Sequence, residues 1–504
     1  MSISENGRVA PKRILIVSDS VGMPIHRRGI FYFTTNLMQA LRRCGHHVTL
    51  LVETNPYFDL PASERAELER VSKAGEISAR LAAVYYFHLQ KSFTWTHVWS
   101  NFGGRWVGRY LALPASIAAM LSLRGARLIM RMPVVLEPET IVNQLQHLDF
   151  VPPGLEHLRA ASEFATCGPV YSLAYSANTF NLGIPIIDTR GYDVILVDTP
   201  SYFGYRKSSG AKVLTVVHDL IPLSDATLLP QYRRAFTKKV LNSVAESDDF
   251  IYVSETTRKK FREFFPSATS KSEGMILHPS VSEDRPDSTS SATAGVASEG
   301  QPHNGGYFTV MVSDERRKNL ENLVSAFAYL PQEIGLKVIG FLLRPHYSAK
   351  EVHARERASD SRLPGRIELL GFVNEAEKKK IIAGSLGVIV PSFAEGFGIP
   401  ILEGFLAGKP VLCSDLPVFR EVAGENPIYF DPYSPRSIAD AINSYLKDPA
   451  RYQDRIAGAA VECRRRFGLA ALVDSVAAYF GRASAEAEVA LRQQASDAVN
   501  GATR

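Results

Sequence analysis

PSFAEGFGIPILEGFLAGKPVLCSDLPVFREVAG, residues Pro391 to Gly424, reads as strand, loop and helix in quick succession. An apolar run closes at Pro391 and Ser392. A loop bearing Gly396 and Gly398 follows, and a helix is predicted to begin near Pro400. Glycine lets a backbone approach a ligand closely. A helix start offers unbonded N–H groups and the positive end of its dipole, which suits a pyrophosphate. Glu395 and Glu403 bracket the turn with seven residues between them. One lies in the loop and the other one turn into the helix, so both can face one ligand. A carboxylate beside phosphate is unfavourable unless it holds hydroxyls, which points to sugar or ribose. An ordinary strand-turn-helix with a capping glutamate fits the same residues.

The surrounding sequence repeats this alternation. Upstream, GYFTVMVSD, LKVIGFLL, GRIELLGFV and GVIVPS read as strands, with NLENLVSAFAYL and EAEKKKIIAGS as helices. Downstream, PVLCSD is a strand, and SPRSIADAINSYLKD and the region 466–481 are helices. The chain opens the same way: KRILIVSDS, then FYFTTNLMQALRRCG stopping at Gly45, then HHVTLLVE. YDVILVDTP, AKVLTVVHDL and DDFIYVSE resume the pattern. Short apolar runs alternating with helices are the mark of doubly wound parallel sheets. Residues 281–306 lack aromatics and are rich in Ser, Ala, Gly and Glu, which predicts a flexible linker. The expected organisation is a first domain over 1–280, with a less regular insertion at about 55–190, and a second over 307–465. A return region over 466–484 and a tail over 485–504 complete it.

Composition narrows the class. The 504 residues carry 57 basic and 52 acidic side chains, a net charge of +5, too mild to indicate a nucleic-acid partner. The first ten residues lack the apolar core of a signal peptide, and no apolar run reaches the roughly 20 residues that span a bilayer. Four scattered cysteines, Cys44, Cys167, Cys413 and Cys463, form no CxxC, so a reducing, cytoplasmic setting is expected.

Three more stretches bear chemistry. SDERRKNLENLVSAF places Arg316, Arg317 and Lys318 at a strand-to-helix turn; arginine makes forked phosphate contacts and lysine a point charge. On these residues alone a solvated basic helix start is the better reading, and either arginine can point inward. TVVHDLIPL places His218 and Asp219 at the carboxyl end of a strand, where open α/β sheets bind ligands. IYVSETTRKKF offers Ser254 and Glu255 either to a cleft or as a helix cap.

In order, PS, EGFG, P, the second glutamate, G-x-PV, SD and xEV closely resemble the signature of glycosyltransferase family 4, the retaining GT-B enzymes with an E-x7-E motif. RKN, TVVHDL and VSE-x-TR resemble other segments of that family. The resemblance is strong over 307–435, good over 192–265 and weak over 11–54. It implies a GT-B fold: two Rossmann-like α/β domains, each with a doubly wound parallel sheet, facing a cleft, with the last helix returning to the first domain. It implies that Glu395 contacts the donor sugar and Glu403 the ribose hydroxyls. The backbone of Gly396, Phe397 and Gly398 would hold diphosphate and sugar. Arg317 and Lys318 would neutralise the leaving diphosphate, without a metal or other cofactor; the chain contains no D-x-D. His218 would reach the sugar near the reacting carbon. Phe372 and Val373, in LLGFV, would flank the base. Gly29 would face acceptor and diphosphate, although Phe31 stands where the family has a second glycine.

The resemblance thus implies transfer of a hexosyl group from a nucleotide diphosphate sugar to a glycan or lipid-linked glycan, with retention. HDLIPL with RKN looks most like mannosyl- and rhamnosyl-type transferases of surface polysaccharide assembly, so GDP-mannose is the first donor. All three tryptophans, Trp95, Trp99 and Trp106, fall within twelve residues beside Arg105 and Arg109. That suits a lipid-pyrophosphate acceptor or peripheral membrane contact, and equally an aromatic helical subdomain. A non-catalytic sugar-nucleotide or glycan-binding subunit and a GT-B epimerase are the alternatives. A two-Rossmann oxidoreductase would want G-x-G-x-x-G after a first strand, which is absent.

Overall fold

The computed structural model describes residues 10–22, 29–53, 134–143, 145, 156–168, 170–179, 181–224, 230–269, 273–281, 306–313, 315–340, 366–371 and 373–481. The tryptophan–arginine region, residues 282–305 of the predicted linker, the tail and Phe372 lie outside them.

The strands described before residue 306 are β1 (Arg13–Val17), β2 (His47–Val52), β3 (Val134–Leu136), β4 (Glu139–Val142), β5 (Glu163–Thr166), β6 (Pro185–Asp188), β7 (Val194–Val197), β8 (Gly204–Arg206), β9 (Lys212–Val217), β10 (Asp249–Tyr252) and β11 (Met275–Ile276). Eight form one sheet in the order β11-β10-β9-β7-β1-β2-β5-β4. It is parallel except where β4 runs against β5. Ile14 to Val17 and all of β7 are buried, as strands covered on both faces must be. After β1 the chain builds β2 on one side and later β7 on the other, so the winding reverses at β1 and opens a crevice at the strands' carboxyl ends.

The helices of this half are α1 (Gly29–Arg43), α2 (Val170–Thr179), α3 (Pro230–Glu246) and α4 (Glu255–Phe264). α1 buries Phe33, Leu37, Met38 and Leu41, its inward stripe. It stops at Gly45, whose φ of 83° is a left-handed turn that glycine takes without strain.

The stretch read as an insertion belongs in part to the domain's own framework. Residues 134–190 supply β4 and β5 to the edge of the main sheet, and β3, β6 and β8 make a separate parallel sheet. These strands are short, and ETIV and EFAT interrupt their apolar residues with Glu and Thr, so they show neither a period nor a continuous apolar run.

The second domain holds β12 (Tyr307–Met311), β13 (Gly335–Ile339), β14 (Ile367–Gly371), β15 (Gly387–Val390), β16 (Val411–Ser414) and β17 (Ile428–Phe430) in the parallel order β14-β13-β12-β15-β16-β17. Its winding reverses at β12. Its helices are α5 (Leu320–Ala326), α6 (Glu375–Gly384), α7 (Ile399–Leu406), α8 (Pro417–Ala423), α9 (Pro435–Lys447) and α10 (Gln453–Phe467), followed by α11 (Leu469–Phe480). α9 follows its caps: Ser434 accepts from Ser437 N–H at 3.2 Å, Pro435 opens the helix, and Ile438 and Ile442 face inward.

One apolar core is shared across the interface, joining Ile14, Leu37 and Leu41 to Leu402, Phe405, Phe467 and Val476. α11 docks beside α1. Cys44 Sγ meets Val473 O at 3.6 Å, His46 Nε2 bonds Gly481 O at 2.9 Å, and Tyr479 Oη donates to Asp249 at 3.0 Å. Burial lowers the His46 pKa to about 4, so a neutral imidazole makes this contact.

Candidate active site

Both sheets turn their carboxyl ends toward the cleft, and the predicted residues gather there. Glu395, just past β15, is the centre. Its Oε1 accepts from Lys318 Nζ at 2.6 Å and Ser392 Oγ at 2.8 Å; its Oε2 accepts from Arg317 at 2.8 Å. Burial raises its pKa, but Lys318 and Arg317 outweigh that and hold it at about 2. Arg317 also donates to Glu315 at 2.5 Å and to Ala394 O at 3.2 Å. Arg316 is exposed, so Arg317 is the arginine that points inward. Asn319 places the turn. At φ 56° it takes a left-handed conformation, and its amide donates to the carbonyls of Pro391 at 2.9 Å and Pro432 at 2.8 Å.

The loop over Gly396, Phe397 and Gly398 is pinned from the first domain. Ser254 Oγ donates to Gly396 O at 2.9 Å and Thr257 Oγ1 to the same carbonyl at 3.3 Å. Ser254 also accepts from Thr257 N–H at 3.0 Å, so it caps α4 and faces the cleft at once. Phe397 sends its ring into the shared core against His278 and Phe467. Gly398 turns at φ 121° into α7. Glu421 of α8 caps α4 from across the cleft, accepting from Glu255 N–H at 2.5 Å, Thr256 N–H at 2.8 Å and Thr256 Oγ1 at 2.7 Å.

His218 stands at the end of β9. Its ring packs edge-on against Phe33 at 5.0 Å, and its Nε2 bonds Asp198 O at 2.9 Å. Burial lowers its pKa to about 4. A neutral ring can hold a carbonyl only through Nε2–H, which leaves Nδ1 an acceptor. Asp219 caps its own turn by accepting from Ile221 N–H at 3.0 Å. Asp198 is buried at the end of β7, where it accepts from Ser18, from Ser20 at 2.7 Å and from Thr34 at 3.1 Å. Burial, aided by the nearby Asp19 charge, raises its pKa to about 7.

Glu403 lies one turn into α7 and bonds Lys378 Nζ at 2.9 Å. Lys378 holds Glu375 as well, at 2.9 Å, and Glu375 accepts from Tyr32 Oη of the first domain at 3.1 Å. Val373 sits at the foot of α6, between β14 and the Asn374 cap. Gly29 faces α7: a Cβ there would lie 3.1 Å from Ile399 Cδ1.

The cleft therefore contains His218, Arg317, Lys318, Glu395 to Gly398 and Glu403. Sequence reasoning assigned no role to Lys378, Glu375, Tyr32, Asp198, Asn319 or Glu421. Lys378 had a trace, since it follows Glu375 by one helical turn. Tyr32, Asp198, Asn319 and Glu421 meet partners that are remote in sequence.

Residues 296–461 match the family model described as glycosyl transferases group 1. The chain is 30% identical over 143 residues to O-antigen chain mannosyltransferase B of Escherichia coli, covering 28% of this chain and 37% of that one. It is 33% identical over 90 residues to the O-antigen chain mannosyltransferase RfbU of Salmonella typhimurium, covering 18% and 26%. The alignments thus span little more than a third of these relatives at most. Anabaena Alr3699/HepE, solved with UDP and glucose, aligns over 93% of this chain and 99% of its own at 14% identity and a TM-score of 0.54. The sucrose-phosphate synthase of Thermosynechococcus elongatus aligns over 93% and 98% at 15% identity and a TM-score of 0.52. The fold is GT-B, and the second domain is similar to glycosyl transferases group 1.

Proposed function

We propose that the chain is a retaining glycosyltransferase that moves a hexosyl group from a nucleotide diphosphate sugar to a hydroxyl of a glycan or lipid-linked glycan in surface polysaccharide synthesis. Mannose from GDP-mannose is the first donor. The observation that carries this reading is the bonding of both Arg317 and Lys318 to Glu395, beside the start of α7. Two cations and a helix start suit a diphosphate, and a carboxylate among them suits sugar hydroxyls. The names of the similar O-antigen mannosyltransferases support mannose as the sugar and a surface polysaccharide as the product.

On this reading the diphosphate binds to Arg317, Lys318 and the backbone from Gly396 to Gly398. Glu395 exchanges its cations for donor hydroxyls. The bond from the anomeric carbon to the diphosphate oxygen breaks while the bond to the acceptor oxygen forms on the same face. The acceptor proton passes to the departing diphosphate. Fixed positive charge on the leaving group is the main source of rate. His218, neutral and fixed by Asp198, positions the sugar through Nδ1. Among the described residues no helix is long and apolar enough to cross a membrane. We place the enzyme in the cytoplasm.

Titration calorimetry with GDP, UDP, dTDP and their common sugars tests the donor. Tight binding of GDP and GDP-mannose is expected, followed by transfer of labelled mannose to a lipid-linked acceptor. Absence of binding by every nucleotide sinks the reading. Epimerised sugar formed from donor alone replaces transfer with epimerisation.

A further inference from the structure

The first turn of α1 belongs to the first domain, yet it touches two helices of the donor side. Gly29 abuts Ile399 at the start of α7, and Tyr32, three residues on and on the same helix face, bonds Glu375 at the start of α6. Lys378, one turn later, is held between Glu375 and Glu403, each at 2.9 Å. The side chains of Lys378, Glu375 and Glu403 are 15%, 22% and 16% exposed, so the chain of contacts is largely withdrawn from water.

We propose that Lys378 is a positioning residue for ribose recognition, and that Tyr32, acting through Glu375, makes that recognition depend on closure of the first domain. This rests on the reading of Glu403 as the ribose carboxylate. A carboxylate has about four acceptor positions, enough for one ammonium and two hydroxyls together. Lys378 fixes the Glu403 rotamer and so aims its remaining oxygen positions at a diol. It also joins two carboxylates that would otherwise repel. Tyr32 donates to the far carboxylate only when the domains are together. An open cleft therefore leaves Glu375 to compete for the ammonium, and the diol acceptor loses its fixed position.

The test is calorimetric binding of GDP and UDP, each beside its 2′,3′-dideoxy counterpart, to the full chain. The wild type should prefer the ribose form of the nucleotide it binds by about tenfold or more, as hydrogen bonds to a charged group require. Lys378→Met should bind both forms within about threefold of each other, and Lys378→Arg should restore much of the preference. Tyr32→Phe should narrow the preference without abolishing it. Lys378→Gln, which keeps a polar side chain and loses its charge, reads the same quantity should Lys378→Met fail to fold. An undiminished preference in Lys378→Met, with Glu403→Gln losing it, overturns the role of Lys378 and leaves the donor reading standing. An unchanged preference in Tyr32→Phe overturns the link to closure. No nucleotide binding by the wild type overturns the donor reading, and this proposal with it.

Discussion

A Cβ on Gly396 would lie 2.1 Å from the carbonyl oxygen of His218. Two backbone segments, one from each domain, meet there with no room for a side chain. Gly396→Ala must therefore push the donor loop from the first domain, and a shift of about 1 Å can cost on the order of 100-fold in rate. We expect turnover to fall by about that factor while the melting profile stays cooperative. Gly458, inside α10 with no atom near its missing Cβ, is the control. Gly458→Ala should stabilise by about 1 kcal/mol and leave turnover alone.

Glu395→Gln should separate binding from chemistry. Removing the charge frees Arg317 and Lys318 for the diphosphate, so nucleoside diphosphate binding should hold or tighten. Turnover should drop by about 100-fold or more. Stability should fall too, by about 3 kcal/mol at neutral pH, because two largely buried cations lose their counter-charge. The Glu395 pKa is lowered on folding, so its contribution is present above about 4.5 and disappears as pH falls through about 2. Melting curves should show the gap between wild type and variant closing across that window.

Asp198 gives the opposite sign. Its pKa rises from 3.8 to about 7 on folding. Its contribution is complete below 3.8 and is lost as pH rises through about 7. Asp198→Asn should therefore gain melting temperature relative to wild type between pH 4 and pH 8, read by calorimetric scans.

Glu421 joins the domains through the N–H groups at the start of α4. Glu421→Ala leaves the Glu255 and Thr256 N–H groups without their acceptor while Ser254 still caps Thr257, which costs about 1–2 kcal/mol. Because the cap crosses the cleft, the variant should also scatter X-rays in solution as a more extended particle. An unchanged scattering profile would show that the cap serves α4 alone.

The strands and second-domain helices were legible because parallel strands covered on both faces leave continuous apolar runs, as in β1, β7 and β15. Glu395 and Glu403 were legible because one loop and one helix turn set their spacing. His218 was legible as a residue at a strand's carboxyl end. Tyr32 and Glu375 are 343 residues apart, and no local period can announce such a pair. Glu421 was inside the quoted stretch, but its partners are N–H groups, which every residue offers. β4 and β5, ETIV and EFAT, break their apolar residues with Glu and Thr, so no continuous run marks them, and β3 has only three residues.

α11 follows the whole second domain in sequence yet packs on α1 and anchors beside β2 through His46 and Gly481. A ribosome therefore delivers the second domain complete while the first still lacks its final helix. The apolar face of α1 that α11 covers stays open until residues 469–480 emerge. The second sheet is thus the earlier of the two to reach its finished form, and a chain stopped near residue 468 keeps a whole second domain beside an uncovered first.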